Sequence, residues 1–365
     1  MMNDGFIQNI DGKCCKSRKR LVWLDIMRAF LIIFMVIGHS TSPLVIYIYL
    51  FHMPAFFILS GCTFDMDRYK LKDFIFKKTI TILLPAVLIN LIYIFFYSIL
   101  QELGLYNFIQ AGENIQLEKR ILAFFQHCTT TDLGGATWFL FVLYEVEIIY
   151  GILAKSKKIF KKNGVTLLGL ILGMVGYYFV TQHIILPYYF DLALLACLYY
   201  GIGFLIAQKN VIENIDNKIL FPICILLTVF FAEFYFEGNL PMNWPTRSFA
   251  NLFIQIVSCL AAISPLIYIS MKIEKSKIAK WLQWLGQHTY SILILHFLFF
   301  RVIFFVGILL GILPANYLQN LVPGYDIAAH GGWLIISIIT ILGCSIIARL
   351  AEKNKILNYI INAKI

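Results

Sequence analysis

Residues 22–43 read VWLDIMRAFLIIFMVIGHSTSP, and this long apolar stretch determines the class of fold. An apolar helix of about 20 residues is long enough to cross the hydrocarbon core of a bilayer. The rest of the chain has the same character, since 60% of its 365 residues are hydrophobic and only 14% are charged. Soluble domains average about 45–50% apolar and about 25% charged residues. The sequence therefore predicts an all-α, polytopic integral membrane protein.

Ten apolar segments are each long enough to span a membrane. Their boundaries follow from where the apolar runs give way to charged or turn-forming residues. The predicted segments are 22–43, 45–64, 79–100, 134–154, 164–182, 188–207, 219–236, 247–270, 289–312 and 331–350.

The basic residues indicate the orientation of these segments. Nearly all of the 30 Lys and Arg residues fall in the two termini and in every second loop. The alternate loops hold only Lys119, Arg120 and Arg247. Cytoplasmic loops carry the excess of Lys and Arg, so an even number of spans with both termini in the cytoplasm is predicted. The net charge of +10 thus reflects topology, and no nucleic-acid partner is expected.

Three regions follow from this topology. Residues 1–20 form a basic cytoplasmic tail without the apolar core of a signal peptide. Residues 21–350 form the ten-span domain, and residues 351–365 form a cytoplasmic C-terminal tail. No soluble domain is predicted to follow the spans. The expected location is the plasma (inner) membrane of a prokaryote, as a multi-pass protein.

Ionisable residues within the predicted spans carry the clearest functional signal. A charge at the centre of a bilayer costs at least about 2.5–3.5 kcal/mol, so each such residue needs a partner or a role. The residues concerned are Asp25, Arg28, His39, His52, Glu145, Glu147, Asp191, His296 and Arg301.

Arg28 and His39 lie on one face of the first span. They are eleven residues apart, which is about three helical turns and about 16 Å along the axis. The same span carries Asp25, which can pair with Arg28 at a spacing of three residues. In the second span, Pro54 removes a backbone donor and kinks the helix beside His52. His39 and His52 are therefore predicted to face one cavity. The alternative is that each only donates to a backbone carbonyl of a neighbouring helix.

The middle and late spans leave more than one interpretation open. Trp138 belongs either to an aromatic belt at the outer interface or to a substrate site. Glu145 or Glu147 is a candidate partner for Arg301 or Arg28, while His296 and Arg301 belong either to the polar centre or to a helix contact. The sequence contains no zinc-ligand spacing, no serine-hydrolase elbow and no dinucleotide-binding glycine motif.

Four motifs resemble those of the acyltransferase type 3 family of membrane O-acyltransferases. The first runs from Leu24-Asp25-Ile26-Met27-Arg28 to Gly38-His39-Ser40 and contains the family's Arg, ten residues, His pattern. The second, FHMPAFFILSG at residues 51–61, is similar to the fucose 4-O-acetylase-like branch. Thr137-Trp138-Phe139-Leu140 and the segment from Leu285-Gly286 to His296 resemble a middle and a late family motif. The resemblance covers nearly the whole chain.

The resemblance implies transfer of an acetyl or other acyl group from acyl-CoA to a carbohydrate hydroxyl. The sequence differs from the family pattern at Thr81, where a second basic residue is usual. Unlike the two-domain members of the family, it is not expected to carry an SGNH esterase-like domain after the spans. No permanently bound cofactor and no metal are expected. The predicted partners are acyl-CoA as co-substrate, a carbohydrate or lipid-linked glycan, and the bilayer, with a homodimer left open. The predicted site has His39, His52 and Arg28 as catalytic residues, Arg28, Lys77 and Lys78 as CoA-binding residues, and Asp25, Trp138, Glu145 and His296 as substrate-binding residues.

Two other classes of function compete with this interpretation. A transporter or flippase would use the intramembrane carboxylates and histidines for coupling. The sequence lacks the internal repeat and the paired broken helices typical of that class. A non-catalytic membrane module for a polysaccharide or small solute is the second alternative.

Overall fold

The computed structural model describes residues 21–65, 70–109, 115–155, 157–209, 217–237 and 239–364. The predicted basic tail, residues 1–20, lies outside the described residues. The described chain is almost entirely helical, with a single two-stranded antiparallel hairpin.

Within the described residues, the helices and strands follow one another along the chain in the order given below. The α-helices are α1 Val22–Gly38, α2 Val45–Tyr49, α3 His52–Thr63, α4 Leu71–Lys78, α5 Leu84–Glu102, α6 Tyr106–Ile109, α7 Leu117–His127, α8 Trp138–Lys155, α9 Lys157–Thr181, α10 Phe190–Gln208, α11 Asn217–Val229, α12 Leu252–Ile273, α13 Ala279–Gly286, α14 Thr289–Leu309, α15 Tyr325–Ala328, α16 Gly332–Ala351 and α17 Lys355–Asn362. The strands are β1 Met242–Asn243 and β2 Ser248–Phe249, and π-helical turns occupy Thr79–Leu83 and Phe230–Tyr235. Short 3₁₀ turns occupy Asp132–Thr137, Pro187–Tyr189, Ala315–Gln319 and Ala329–Gly331.

Eight helical stretches within the described residues are long and apolar enough to cross a membrane. A shorter apolar helix occupies Leu220–Tyr235, and α1 has 17 residues. Large apolar side chains remain exposed on many of these helices, as expected for surfaces that face lipid. The predicted all-α polytopic membrane fold is confirmed, while the count of ten spans and the cytoplasmic termini stay predictions.

Helix α1 lies at the centre of the fold, and most of its side chains are buried. It packs against α13, α12, α3, α14 and α16. The helix is shorter than the predicted segment 22–43 and ends at Gly38. Beyond this point hydroxyl side chains bind the turn, since Ser40 Oγ donates to the Ile37 carbonyl at 2.8 Å and Ser42 Oγ accepts from Leu44 N at 2.9 Å. His39 therefore lies directly after the last turn of the helix, at the start of this turn of the chain.

The second predicted span is broken beside His52. Helix α2 ends at Tyr49 and α3 begins at His52, so Pro54 lies in the first turn of α3. A proline fits the first turn because the N–H groups there have no partner within the helix. The predicted distortion is present, and it takes the form of a break that directs His52 inward.

The two-stranded hairpin is tied to α10 by a buried ion pair. Arg247 Nε lies 2.6 Å from Asp191 Oδ2, and Arg247 Nη2 donates to Asp191 Oδ1 at 3.2 Å. Asp191 is fully buried and also accepts from the backbone N–H of Leu186. This bidentate geometry fixes the turn between the strands, where Arg247 adopts a left-handed backbone with φ of 58°.

The predicted C-terminal tail contains the docked helix α17. Asn362 accepts from Ser291 Oγ at 2.6 Å and donates to the Ala348 carbonyl at 3.0 Å. Tyr359 OH donates to the carbonyl of Ile80 at 2.8 Å. The helix thus connects α14, α16 and the π-helical turn before α5.

Candidate active site

A cavity of about 480 Å³ lies beside α1. Arg28 and His39 both line it, so the helix face predicted from their eleven-residue spacing borders a single space. Further walls come from α3, the π-helical turn before α5, the start of α8, the hairpin and the start of α14. Most of the lining is apolar, so its few polar groups would determine the orientation of a bound molecule.

His39 lies where this cavity meets a second one. The second cavity, of about 810 Å³, is lined by the residues after α1 and by the segment 322–333. His39 lines both cavities, as does Tyr49. The ring of His39 contacts His296 and Phe297, with centroid separations of 5.3 Å and 5.2 Å. An imidazole at the junction of two cavities can exchange a proton with a group in either of them.

His52 lines the first cavity together with His39. Its Nδ1 donates to the carbonyl of Ile48 at 3.0 Å, and its ring packs on Tyr49 with centroids 4.9 Å apart. A carbonyl oxygen only accepts, so in the neutral ring Nδ1 carries the hydrogen and Nε2 the lone pair. The bond is to its own chain segment, whereas the sequence alternative placed it on a neighbouring helix.

His296 is fully buried directly behind His39. Its Nδ1 donates to the Leu293 carbonyl at 2.8 Å, one turn earlier in α14. Its Nε2 has no hydrogen-bond partner among the described residues. The histidine predicted to bind substrate therefore lies in the second layer of the site.

Arg28 is oriented by Asp25, and Asp25 is held in turn by Gln287. Its Nη1 lies 3.0 Å from Asp25 Oδ1, and Asp25 Oδ2 accepts from Gln287 Nε2 at 3.2 Å. Asp25 is fully buried, whereas the Arg28 side chain retains 27% of its exposure. The predicted pairing is present, and Asp25 lies behind the cavity wall. Gly286 allows α13 to approach, since a Cβ there would lie only 1.8 Å from the Asp25 carbonyl oxygen.

The two predicted CoA-binding lysines do not line the cavity. Lys77 is exposed on α4, whereas Lys78 Nζ lies 2.9 Å from Glu147 Oε1. Tyr200 OH donates to the other oxygen of this carboxylate at 3.0 Å. Glu147 therefore pairs with Lys78, whereas the sequence alternatives paired one of the two glutamates with Arg28 or Arg301. Thr81, the departure from the family pattern, does line the cavity.

Trp138 and Trp244 of the hairpin together form one part of the cavity wall. The two indole rings are nearly parallel, at 19°, with centroids 6.3 Å apart. Trp244 is almost fully buried, and its Nε1 has no acceptor among the described residues. Asn243 and Thr246 lie on either side of Trp244 in the hairpin turn and also line the cavity. This part of the wall combines aromatic faces with a few polar groups, which suits a sugar ring.

The remaining predicted residues lie away from the cavity. Glu145 Oε2 is buried without a partner among the described residues, on a part of α8 that does not line the cavity. Arg301 donates to the carbonyls of Ile109 and Leu318, and Asp132 is its carboxylate neighbour at 3.5 Å. Arg301 thus contacts segments that connect the long helices, whereas the sequence interpretations were the polar centre or a helix contact.

The hairpin residues were missed by the sequence analysis. Segment 240–246, LPMNWPT, contains two prolines and an asparagine, which are turn signals. A tryptophan between such residues in a predicted loop is unusual, and this was the available signal. No cluster of three or more potential metal ligands occurs among the residues that the structure describes.

Comparison with known families agrees with this architecture. No curated protein and no solved structure matches the chain significantly. A family profile described as an acyltransferase domain, that of the type 3 acyltransferases, matches residues 21–349. The match covers all the helices from α1 to α15 and nearly all of α16, together with every residue that lines the two cavities except Ala363. The chain therefore belongs to the type 3 acyltransferase family of membrane proteins.

Proposed function

We propose that this chain is an O-acyltransferase that moves an acetyl or other acyl group from acyl-CoA to a hydroxyl of a cell-surface or lipid-linked carbohydrate. The position of His39 at the junction of the two cavities carries the proposal. A donor that extends along α1 from Arg28 would bring its thioester to this imidazole, and an acceptor that lies against Trp138 in the first cavity would reach the same ring.

His39 serves as the general base in the proposed reaction. Its lone pair takes the proton of the acceptor hydroxyl while the hydroxyl oxygen attacks the thioester carbonyl carbon. The carbon–sulfur bond then breaks, and the proton on His39 passes to the departing thiolate, which leaves as free CoA. An imidazole suits both transfers because its ordinary pKa, about 6.5, is close to neutral pH. His52, which lines the same cavity, assists by orienting the reacting groups.

Arg28 is the proposed donor-binding cation, together with Lys77 and Lys78. A guanidinium forms paired hydrogen bonds to phosphate, and Asp25 and Gln287 hold this one in place. We assign the larger contribution to Arg28, because it lines the cavity and the two lysines do not.

The acceptor is proposed to lie against Trp138 and Trp244. Indole faces provide flat apolar contact for the C–H groups of a pyranose ring. Asn243 and Thr246 are the neighbouring polar side chains that can bind its hydroxyl groups.

Acyl transfer can be measured in inside-out membrane vesicles from cells that lack or express the chain. The probe is acetyl-CoA labelled in its acetyl group, and the readout is alkali-labile label in the glycan and glycolipid fractions. Alkali releases O-acetyl esters and leaves N-acetyl groups intact. We expect ester label only with the expressed chain.

The His39→Gln variant should lose this label while its membrane level stays at that of the wild type. General acid–base groups contribute about 10²–10⁴-fold to rate, so the loss should be of that order. The matched control is His127→Gln, which changes an exposed histidine outside both cavities. Full activity of His39→Gln, or no ester label with the wild type, would refute the proposal.

A further inference from the structure

We infer that His296 is a positioning residue that determines which nitrogen of His39 carries the proton. The inference rests on the proposed function, since it assigns His39 as the base. It starts from the backbone hydrogen bond at Nδ1 of the His296 ring and from Nε2, the ring nitrogen that is left unpaired among the described residues.

The tautomer of His296 is fixed by its backbone contact. Nδ1 lies 2.8 Å from the carbonyl of Leu293, and a carbonyl can only accept. Nδ1 therefore carries the hydrogen. The ring is fully buried, and the charged form of an unpaired imidazole would be strongly disfavoured there. Nε2 is consequently a lone-pair acceptor.

This acceptor is left without a donor among the described residues. A buried acceptor without a hydrogen bond costs about 1–3 kcal/mol, so the arrangement needs a compensating role. The rings around His296 are those of Phe297, Phe300 and His39. His39 is the one among them that has an N–H to donate.

A turn of the His39 ring about its side-chain bonds would point one of its nitrogens toward this acceptor. Its described contacts are ring contacts, with His296 at 5.3 Å and Phe297 at 5.2 Å between centroids. Ring nitrogens extend beyond the centroid, so a rotation that points the two edges at each other gives a hydrogen bond of ordinary length, about 2.7–3.2 Å. Catalytic hydrogen bonds are often long in the empty enzyme and shorten when substrate fills the site.

The consequence for catalysis is specific. When one nitrogen of His39 donates to His296 Nε2, the other must present its lone pair, as a base requires. After His39 takes the hydroxyl proton it bears two N–H groups, and the His296 acceptor stabilises the one directed at it. The second proton then leaves to the thiolate, and the original tautomer is restored.

Two amide variants of His296 separate this role from packing. A glutamine places its amide where Nε2 lies, so its oxygen can accept from His39. An asparagine places its amide where Nδ1 lies, so it keeps the bond to the Leu293 carbonyl and leaves the Nε2 position empty. Both are polar, uncharged and smaller than or similar in size to histidine.

The variants are compared in the vesicle assay at varied acetyl-CoA. We expect His296→Asn to lower the maximal rate per amount of chain at least about tenfold, with the KM for acetyl-CoA changed less than about twofold. His296→Gln should recover most of the lost rate. Equal rates of the two variants, a wild-type rate for His296→Asn, or a rise in KM alone would overturn the inference. Absence of ester label with the wild type would instead refute the proposed function.

A second measurement does not depend on the variants being well folded. Histidine ring nitrogens with and without a bound hydrogen differ strongly in ¹⁵N chemical shift. In the ¹⁵N-histidine-labelled wild-type chain, we expect the His296 signal to have a protonated Nδ1 and an unprotonated Nε2. The opposite tautomer would overturn the inference.

Discussion

At the scale of single residues, the orientation of Arg28 is determined by a buried carboxylate, that of Asp25. Arg28 reaches the cavity, while Asp25 is fully buried and binds both Arg28 and Gln287. A buried carboxylate with two donors has a fixed orientation, so it restricts the guanidinium that pairs with it. Asp25 therefore acts through Arg28 and makes no contact with the cavity.

Arg28→Ala is expected to weaken donor binding without removing the base. A hydrogen bond to a charged group contributes about 1.5–3 kcal/mol, so the KM for acetyl-CoA should rise about 10- to 100-fold. Arg28→Lys keeps the charge and loses the paired geometry, so its KM should lie between those of the wild type and Arg28→Ala. The measurement is the vesicle assay with acetyl-CoA varied. An unchanged KM in Arg28→Ala would place the donor elsewhere.

The residues of the site differ in how far the sequence could predict them. The spacing of Arg28 and His39 predicts that they share one helix face, and in the structure both line one cavity. His52 was marked by the adjacent Pro54. The partner of Glu147 and the place of Trp244 depend on which distant segments meet, and no local pattern contains that information.

At the scale of elements, the hairpin is the part of the cavity wall that the apolar pattern could not predict. The predicted eighth span, 247–270, includes the second strand, whereas the first strand and Trp244 fall in the predicted loop before it. The structure begins α12 at Leu252, where the Asn251 side chain caps the helix by accepting from the N–H groups of Phe253 and Ile254. The residues before it are free to turn back and pair as strands, and this turn brings Trp244 into the cavity.

The ion pair between Arg247 and Asp191 is expected to hold the hairpin in place. Removal of one partner from a buried pair costs about 3–5 kcal/mol because the other charge stays buried. Asp191→Asn should therefore lower the Tm of the purified chain and reduce ester formation, with the KM for acetyl-CoA unchanged. The double variant Asp191→Asn/Arg247→Gln removes both charges and should recover much of the lost Tm. The single variant Arg247→Gln completes the comparison. If the Tm losses of the two single variants simply add in the double variant, the ion pair does not stabilise the hairpin.

At the scale of the whole molecule, the charge pattern makes a topological prediction. The segment between α12 and α13 is expected in the cytoplasm, and the segment after α14 on the opposite side. Alkaline phosphatase inserted after Ser276 should be inactive, and after Pro314 it should be active. A fluorescent protein fused to the C-terminus should fluoresce. An active phosphatase after Ser276 would invert the predicted orientation.

The packing of the C-terminal segment gives a pH dependence of stability. His288 precedes α14, and its ring lies among the Trp284 carbonyl, Glu352 Oε1 at 2.9 Å and the ammonium of Lys364. Burial lowers the pKa of His288 below its ordinary value of 6.5, and the neighbouring Lys364 adds to this. The unfolded chain therefore binds a proton that the folded chain resists. The stabilising contribution is complete above pH 6.5 and is lost as the pH falls below it.

The Tm of the purified chain should therefore fall as the pH is lowered from 7.5 to 5.5. His288→Asn keeps a donor for the Trp284 carbonyl and cannot be protonated in this range, so its Tm should fall less steeply. The matched control is His127→Asn, an exposed histidine for which the slope should equal that of the wild type. Parallel slopes for His288→Asn and the wild type would show that other groups cause the acid sensitivity. A smaller slope would link the proton to the docking of α17, since Lys364 lies two residues after the end of that helix and its ammonium lies at His288.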